Sequence, residues 1–148
     1  IAHVDMDLIR NAFQLRLLVE REAVAHFAQT APAERIEALR EAHLRVRALA
    51  ERDVTPELNQ QAQQLDWDLH DEMVASLGNA LITDIYRVNS IKIRLIRTED
   101  TRMLPELVVS VMDEHLALIE ALATRDKAAS VAALEAHVES AKRRVVRV

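Results

Sequence analysis

Leu65-Asp66-Trp67-Asp68-Leu69-His70 sets an acid and an imidazole four residues apart in an apolar setting. At about 100° and roughly 1.5 Å per residue, a helix brings Asp66 and His70 nearly into line, one turn apart, where both can grip one object. Leu65, Leu69, Met73 and Leu77 recur around them at the spacing of a buried helical face, so the stretch reads as helix. A carboxylate on such a face is costly unless a cation or a set of donors compensates it.

The rest of the chain agrees with a helical reading. Half of its 148 residues are apolar but only 3% are aromatic, so the core is built mainly from Leu, Ile, Val and Ala. One glycine and three prolines leave little from which to make hairpin turns. The expectation is an all-α fold, a single antiparallel bundle of about six helices forming one domain over residues 1–148. With no cysteine there is neither a disulfide framework nor a thiolate metal site, which fits a reducing, cytoplasmic setting. No apolar run approaches the roughly 18 residues that span a bilayer, and the start lacks a charged-then-apolar signal pattern. A formal charge of -5 argues against this domain itself gripping a phosphate backbone. Lys142-Arg143-Arg144 reads as a solvated last turn that complements the helix dipole.

The punctuation divides the chain. Helix one is expected from Asp5 to about Gln29, with Asp5 or Asp7 as cap and Leu8, Ile9, Phe13, Leu17, Leu18, Val24 and Phe27 at helical spacing. Thr30-Ala31-Pro32 breaks it, and helix two runs to about Arg52. Thr55 can cap helix three, Pro56 fits its first position, and Gly78 falls where a left-handed C-terminal cap is wanted. Helix four, about Asn79 to Arg97, is apolar over so broad a sector (Leu81, Ile82, Ile85, Val88, Ile91, Ile93, Leu95, Ile96) that it is expected to run through the middle of the bundle. Residues 98–102 read as a loop, helix five extends from about Pro105 to Thr124, and helix six from about Lys127 to the end.

His115 lies eleven positions before Asp126 and His137 eleven after it. If helices five and six fold back about that turn, the two rings stand at one height, each about 16 Å from the bend. Both share faces with apolar residues and look inward. Asp66, His70, His115 and His137 together would offer three nitrogens and one carboxylate oxygen, a set suited to Zn²⁺, Ni²⁺ or a similar divalent ion with positions left open. Read one at a time, a histidine on an apolar face is more often a hydrogen-bonded core residue than a ligand, and Asp66 alone could pair with an arginine. His3, His26 and His43 receive no role and are expected at the surface or at helix ends.

Asp66-x3-His70 followed by Gly78-Asn79, then Glu114-His115-Leu116-x2-Ile119-Glu120-Ala121 and Asp126-x2-Ala129-Ala-x6-His137, reads differently as a whole. Over essentially the full chain it resembles the C-terminal effector-binding (FCD-type) domain of FadR-subfamily regulators in the GntR family of bacterial transcription factors. Arg16-x3-Glu20 resembles that domain's first-helix signature, and six helices resemble its shorter variant. The resemblance implies a helical bundle in which Asp66, His70, His115 and His137 hold a divalent metal, Zn²⁺ foremost, that helps bind a small organic acid. It also implies a homodimer. Arg16 is a candidate for the effector's carboxylate, with a surface ion pair to Glu20 as the alternative. Asn89, a polar interruption among isoleucines, is a candidate to line the same pocket or to join two helices. The family's winged helix-turn-helix domain has no counterpart here, so the chain is expected to be a piece of a longer protein, and DNA binding falls to that missing domain.

Two other classes are compatible with the residues. A metal-dependent hydrolase needs a general base beside the metal, and no spare inward acid is evident; Asp71 lies about 100° round from His70, on the wet side. A bundle that only dimerises would use the histidines as ordinary core.

Overall fold

The computed structural model describes residues 6–96 and 103–146, with the side chain of Ile96 excepted. The expected cap Asp5, His3 and the whole of the 98–102 loop lie outside the described residues. Within them stand six α-helices and no strand: α1 (Met6–Thr30), α2 (Ala33–Arg52), α3 (Pro56–Ala75), α4 (Ala80–Ile96), α5 (Val108–Ala123) and α6 (Lys127–Val145), with a single 3-10 turn over Pro105–Leu107 leading into α5.

The helix ends are set by local chemistry. The Thr55 side chain accepts from the Leu58 N–H at 3.1 Å with Pro56 in the first turn, so two orphan amides are dealt with at once. Gly78 adopts φ +65°, the left-handed conformation for which a side chain is costly, and ends the segment after α3. Asn79 then caps α4, its Oδ1 accepting from the amides of Leu81 and Ile82. At the α5–α6 bend Asp126 accepts from the Ala129 N–H at 3.1 Å. Arg125, at φ 63°, sends its guanidinium to the carbonyl of Ala31 at 2.5 Å and so helps terminate α1 from across the bundle.

The most extensive packing joins α1 to α6 and α2 to α5. Buried apolar residues form two clusters. One contains Phe13, Val24, Phe27, Ile36, Leu39, Leu69, Met73, Leu118, Leu122, Leu134 and Val138. The other contains Val46, Ala50, Leu58, Ala62, Val108, Val111 and Met112. Along α2 the order is Leu39, His43, Val46; along α3 it is Ala62, Asp66, His70, Met73; along α5 it is Met112, His115, Leu118. The polar layer lies between two greasy ones. Burial of the flanking clusters, at roughly 25 cal/mol per Å², is what holds the helices together around that layer.

Helix four does not run through the middle. Leu81 and Leu95 are 74% and 72% exposed, Ile85, Val88 and Ile91 are also exposed, and among its described side chains only Tyr86 and Asn89 are buried. It lies on the outside, against α1 and α3. Its apolar stripe is wider than those contacts can cover, and apolar content alone does not say whether the covering partner belongs to the same chain.

Candidate metal centre

Four side chains meet in the polar layer. Asp66, His70, His115 and His137 each bring one potential ligand atom, all within 4.8 Å of one another. The Nε2 atom of His137 lies 3.1 Å from that of His70 and 3.1 Å from that of His115. An Asp66 oxygen stands 2.9 Å from His115 Nε2 and 3.6 Å from His70 Nε2. Metal bonds of about 2.1 Å place neighbouring donors about 3.0 Å apart at right angles and about 3.4 Å apart in a tetrahedron. The observed separations match such donors.

Protons settle what these short distances mean. The Nδ1 of His70 meets Glu20 Oε1, and the Nδ1 of His137 meets Glu114 Oε1 at 2.7 Å. A carboxylate can only accept, so each Nδ1 carries the hydrogen and each Nε2 of a neutral ring presents a bare lone pair. A carboxylate oxygen and imidazole lone pairs thus face one another across about 3 Å with too few hydrogens between them. With all rings neutral such a nest is short of hydrogens; in the metal-free domain the second proton that Glu20 and Asp66 hold on His70 relieves it in part, and the donor set fits a divalent ion with nitrogen and oxygen preference.

Each outer partner is itself held. Glu20 is fully buried and receives hydrogen bonds from Arg16 Nε at 2.6 Å, from Tyr86 Oη at 3.1 Å and from His70. Burial would raise its carboxyl, but Arg16 and His70 hold it far below the usual carboxylate range. Glu114 is also paired with Arg144, so that arginine is half-buried in a chain leading to His137 and is not simply a solvated residue of the last turn.

His43, expected at the surface or at a helix end, is completely buried. Its Nδ1 is 2.7 Å from the carbonyl of Leu39 and its Nε2 is 2.9 Å from His115 Nδ1. A signal for it existed: Ile36, Leu39, His43, Val46 and Ala50 recur at three and four residues and form the buried stripe of α2. Glu20 follows the same rule in α1, on the stripe of Phe13, Glu20, Val24 and Phe27. His26 is half-buried near the end of α1.

Of the two proposed effector contacts, Arg16 lines a cavity of about 80 Å³ beside the cluster, together with Asp66, Trp67, His70, Tyr86 and Ser90. Its Nε is bound to Glu20 and its terminal nitrogen lies 3.5 Å from His70 Nε2, so ion pairing and cavity lining coexist. Of the two readings of Asn89, the structure shows the bond between helices. Its amide donates to the carbonyl of Ala12 at 2.8 Å, joining α4 to α1, and it is not among the residues lining that cavity. Asp71 is exposed yet touches the cavity rim, where Arg94 stacks 3.9 Å above the Trp67 ring.

The metal-free domain is expected to be most stable near pH 6.5. Burial and then repulsion from His115 bring His43 down to about 4, and burial brings His137 down to about 4 against its bond with Glu114. Both rings take up protons more readily when unfolded, so the stability they provide is present above 6.5 and lost as pH falls toward 4. His70 moves oppositely: burial opposes it, but the Glu20 carboxylate and hydrogen bonds with Asp66 and Glu20 carry it up to about 9. Its contribution is full below 6.5 and lost as pH rises through 9. Melting followed from pH 4 to pH 10 tests this, and a midpoint that stays flat across that range counts against it.

No curated protein matches the sequence significantly. Among solved structures, the metal-free FCD domain of TM0439, described as "a putative transcriptional regulator", shares 22% identity at a TM-score of 0.77, with 98% of this chain and 96% of that one covered. The Zn²⁺-bound FCD domain of TM0439 shares 21% identity at a TM-score of 0.67 over the same coverage. At these identities the likeness is one of fold. The model of the FCD domain matches residues 11–140, which take in every residue of the polar cluster, and the chain belongs to the FCD domain family.

Proposed function

We propose that this domain is the effector sensor of a bacterial transcription regulator, holding a divalent metal through Asp66, His70, His115 and His137. The observation that carries the reading is the convergence of three imidazole nitrogens and one carboxylate oxygen, all within 4.8 Å of one another. Three nitrogens and one oxygen suit Zn²⁺, or Ni²⁺ as an alternative, and the TM0439 domain is known in a Zn²⁺-bound form. When bound, the ion supplies a Lewis-acidic anchor for an oxygen ligand.

The chain's own residues define that ligand. The cavity beside the cluster admits only a small molecule, and Arg16 on its wall favours a carboxylate. A small organic acid there touches α1 through Arg16, α3 through Trp67 and α4 through Tyr86 and Ser90. It can bias how these helices pack, to the extent that it binds the two arrangements unequally. The output falls to a winged helix-turn-helix domain outside this stretch, through which the regulator contacts DNA in the cytoplasm. No described helix is long and apolar enough to cross a membrane.

A sensor is favoured over a hydrolase because both glutamates bonded to the histidines are engaged: the buried Glu20 with Arg16, His70 and Tyr86, and the half-buried Glu114 with His137 and Arg144. Neither is free to activate water. The test is a melting screen of small carboxylic acids against zinc-loaded and metal-stripped protein. Stabilisation of the loaded form alone is expected, by about 2.7 kcal/mol when the acid is present at a hundred times its Kd. Equal responses in both forms would refute the sensor mechanism.

The reading includes a homodimer. Leu81, Ile85, Val88, Lys92 and Leu95 follow a four-three-four-three spacing along the exposed face of α4, a seam of the kind that pairs with another helix. Ile85→Glu is expected to convert a dimer into a folded monomer in sedimentation experiments. A monomeric wild-type domain, or a variant still dimeric, would remove α4 from the interface.

A further inference from the structure

His70 and His137 each rest on a glutamate, whereas His115 rests on another histidine. The Leu39 carbonyl can only accept, so the 2.7 Å contact fixes the hydrogen of His43 on Nδ1. A ring with Nδ1–H and no second proton has a bare Nε2. That atom faces His115 Nδ1 at 2.9 Å, and the contact is a hydrogen bond only if His115 donates.

His115 is then contested. A neutral imidazole has one N–H, yet its Nδ1 faces the His43 acceptor and its Nε2 faces the Asp66 carboxylate at 2.9 Å. While the ring stays neutral, both demands are met when the hydrogen stays on Nδ1 and a cation stands at Nε2. We propose that His43 is a positioning residue for the metal, an outer acceptor that holds His115 in the Nδ1–H form and so presents Nε2 to the ion. The backbone of α2 fixes the whole chain, from the Leu39 carbonyl through two rings to the metal position.

The choice of histidine also bears on charge. With a divalent ion in place, three carboxylates (Asp66, Glu20, Glu114) stand against the ion and the guanidinium groups of Arg16 and Arg144. One positive charge is left over, which favours an anionic ligand. A third outer carboxylate at position 43 would cancel it; a neutral ring does the same orienting work without that loss.

This inference rests on the metal reading, and the test separates the two. Zinc affinity is measured by chelator competition for the wild type, His43→Phe and His43→Gln. Phenylalanine keeps the ring volume without an acceptor; glutamine can accept from His115 through Oε1 and donate to the Leu39 carbonyl through its amide. His43→Phe is expected to bind zinc 10–100-fold more weakly, the usual consequence of losing an outer partner. His43→Gln should recover at least half of that loss on a logarithmic scale. Nitrogen-resolved NMR of the zinc-loaded wild type should show the proton of His115 on Nδ1, bonded to His43. If His43→Phe does not fold, His43→Leu carries the same comparison. Equal zinc affinity in the wild type and the folded acceptor-free variant, or a proton found on His115 Nε2, overturns the role of His43 alone. A wild type that takes up no metal overturns both readings.

Discussion

Replacing His115 by alanine is expected to weaken zinc binding by more than about 100-fold, beyond the range for losing an outer partner. His115 Nε2 lies 3.1 Å from His137 Nε2 and 2.9 Å from Asp66, so it is the donor that α5 sets against those of both α6 and α3. Without it the remaining atoms no longer surround a point. The same change should abolish any zinc-dependent gain in melting temperature, because ligand stabilisation follows affinity directly. Zinc uptake by His115→Ala within tenfold of the wild type would place the metal elsewhere.

Glu20→Ala is expected to be the most damaging single change to the fold. The carboxylate is completely buried and is the common partner of Arg16, His70 and Tyr86. Its removal strands a buried guanidinium, which is where broken buried ion pairs cost most, about 3–5 kcal/mol. For a domain of this size that corresponds to a fall in melting temperature of about 6–20 °C. Glu20→Gln keeps the shape and should do less harm to the fold while still weakening the orientation of His70. Thermal melting of both variants decides the matter. A Glu20→Ala protein that melts within 2 °C of the wild type would mean that Arg16 and His70 are held by something other than this carboxylate.

The helices were legible because their ends are written locally. Thr55-Pro56, Gly78-Asn79 and Asp126 act on their own backbone within three residues, and the structure uses each as the chemistry dictates. The meeting of His115 and His137 was legible for a similar reason. Equal distances from a bend place two residues at one height whatever surrounds them, and the rings do meet. What resisted was everything decided between elements. His43 and Glu20 stand among charged neighbours, and a polar residue inside a polar-looking helix is read as exposed unless its position on the apolar stripe is followed. Asn89 was placed by its isoleucine neighbours, but α4 turns that residue toward the Ala12 carbonyl. The position of α4 itself was misjudged because a greasy face reports only that something covers it.

The most direct measurement of the central claim is the zinc X-ray absorption spectrum of the protein loaded with one equivalent of the ion. Three imidazole nitrogens and a carboxylate oxygen from Asp66, His70, His115 and His137 should appear at about 2.0–2.2 Å, with the scattering pattern of histidine rings. A spectrum with one imidazole or none, or a protein that retains no zinc after buffer exchange, would contradict it.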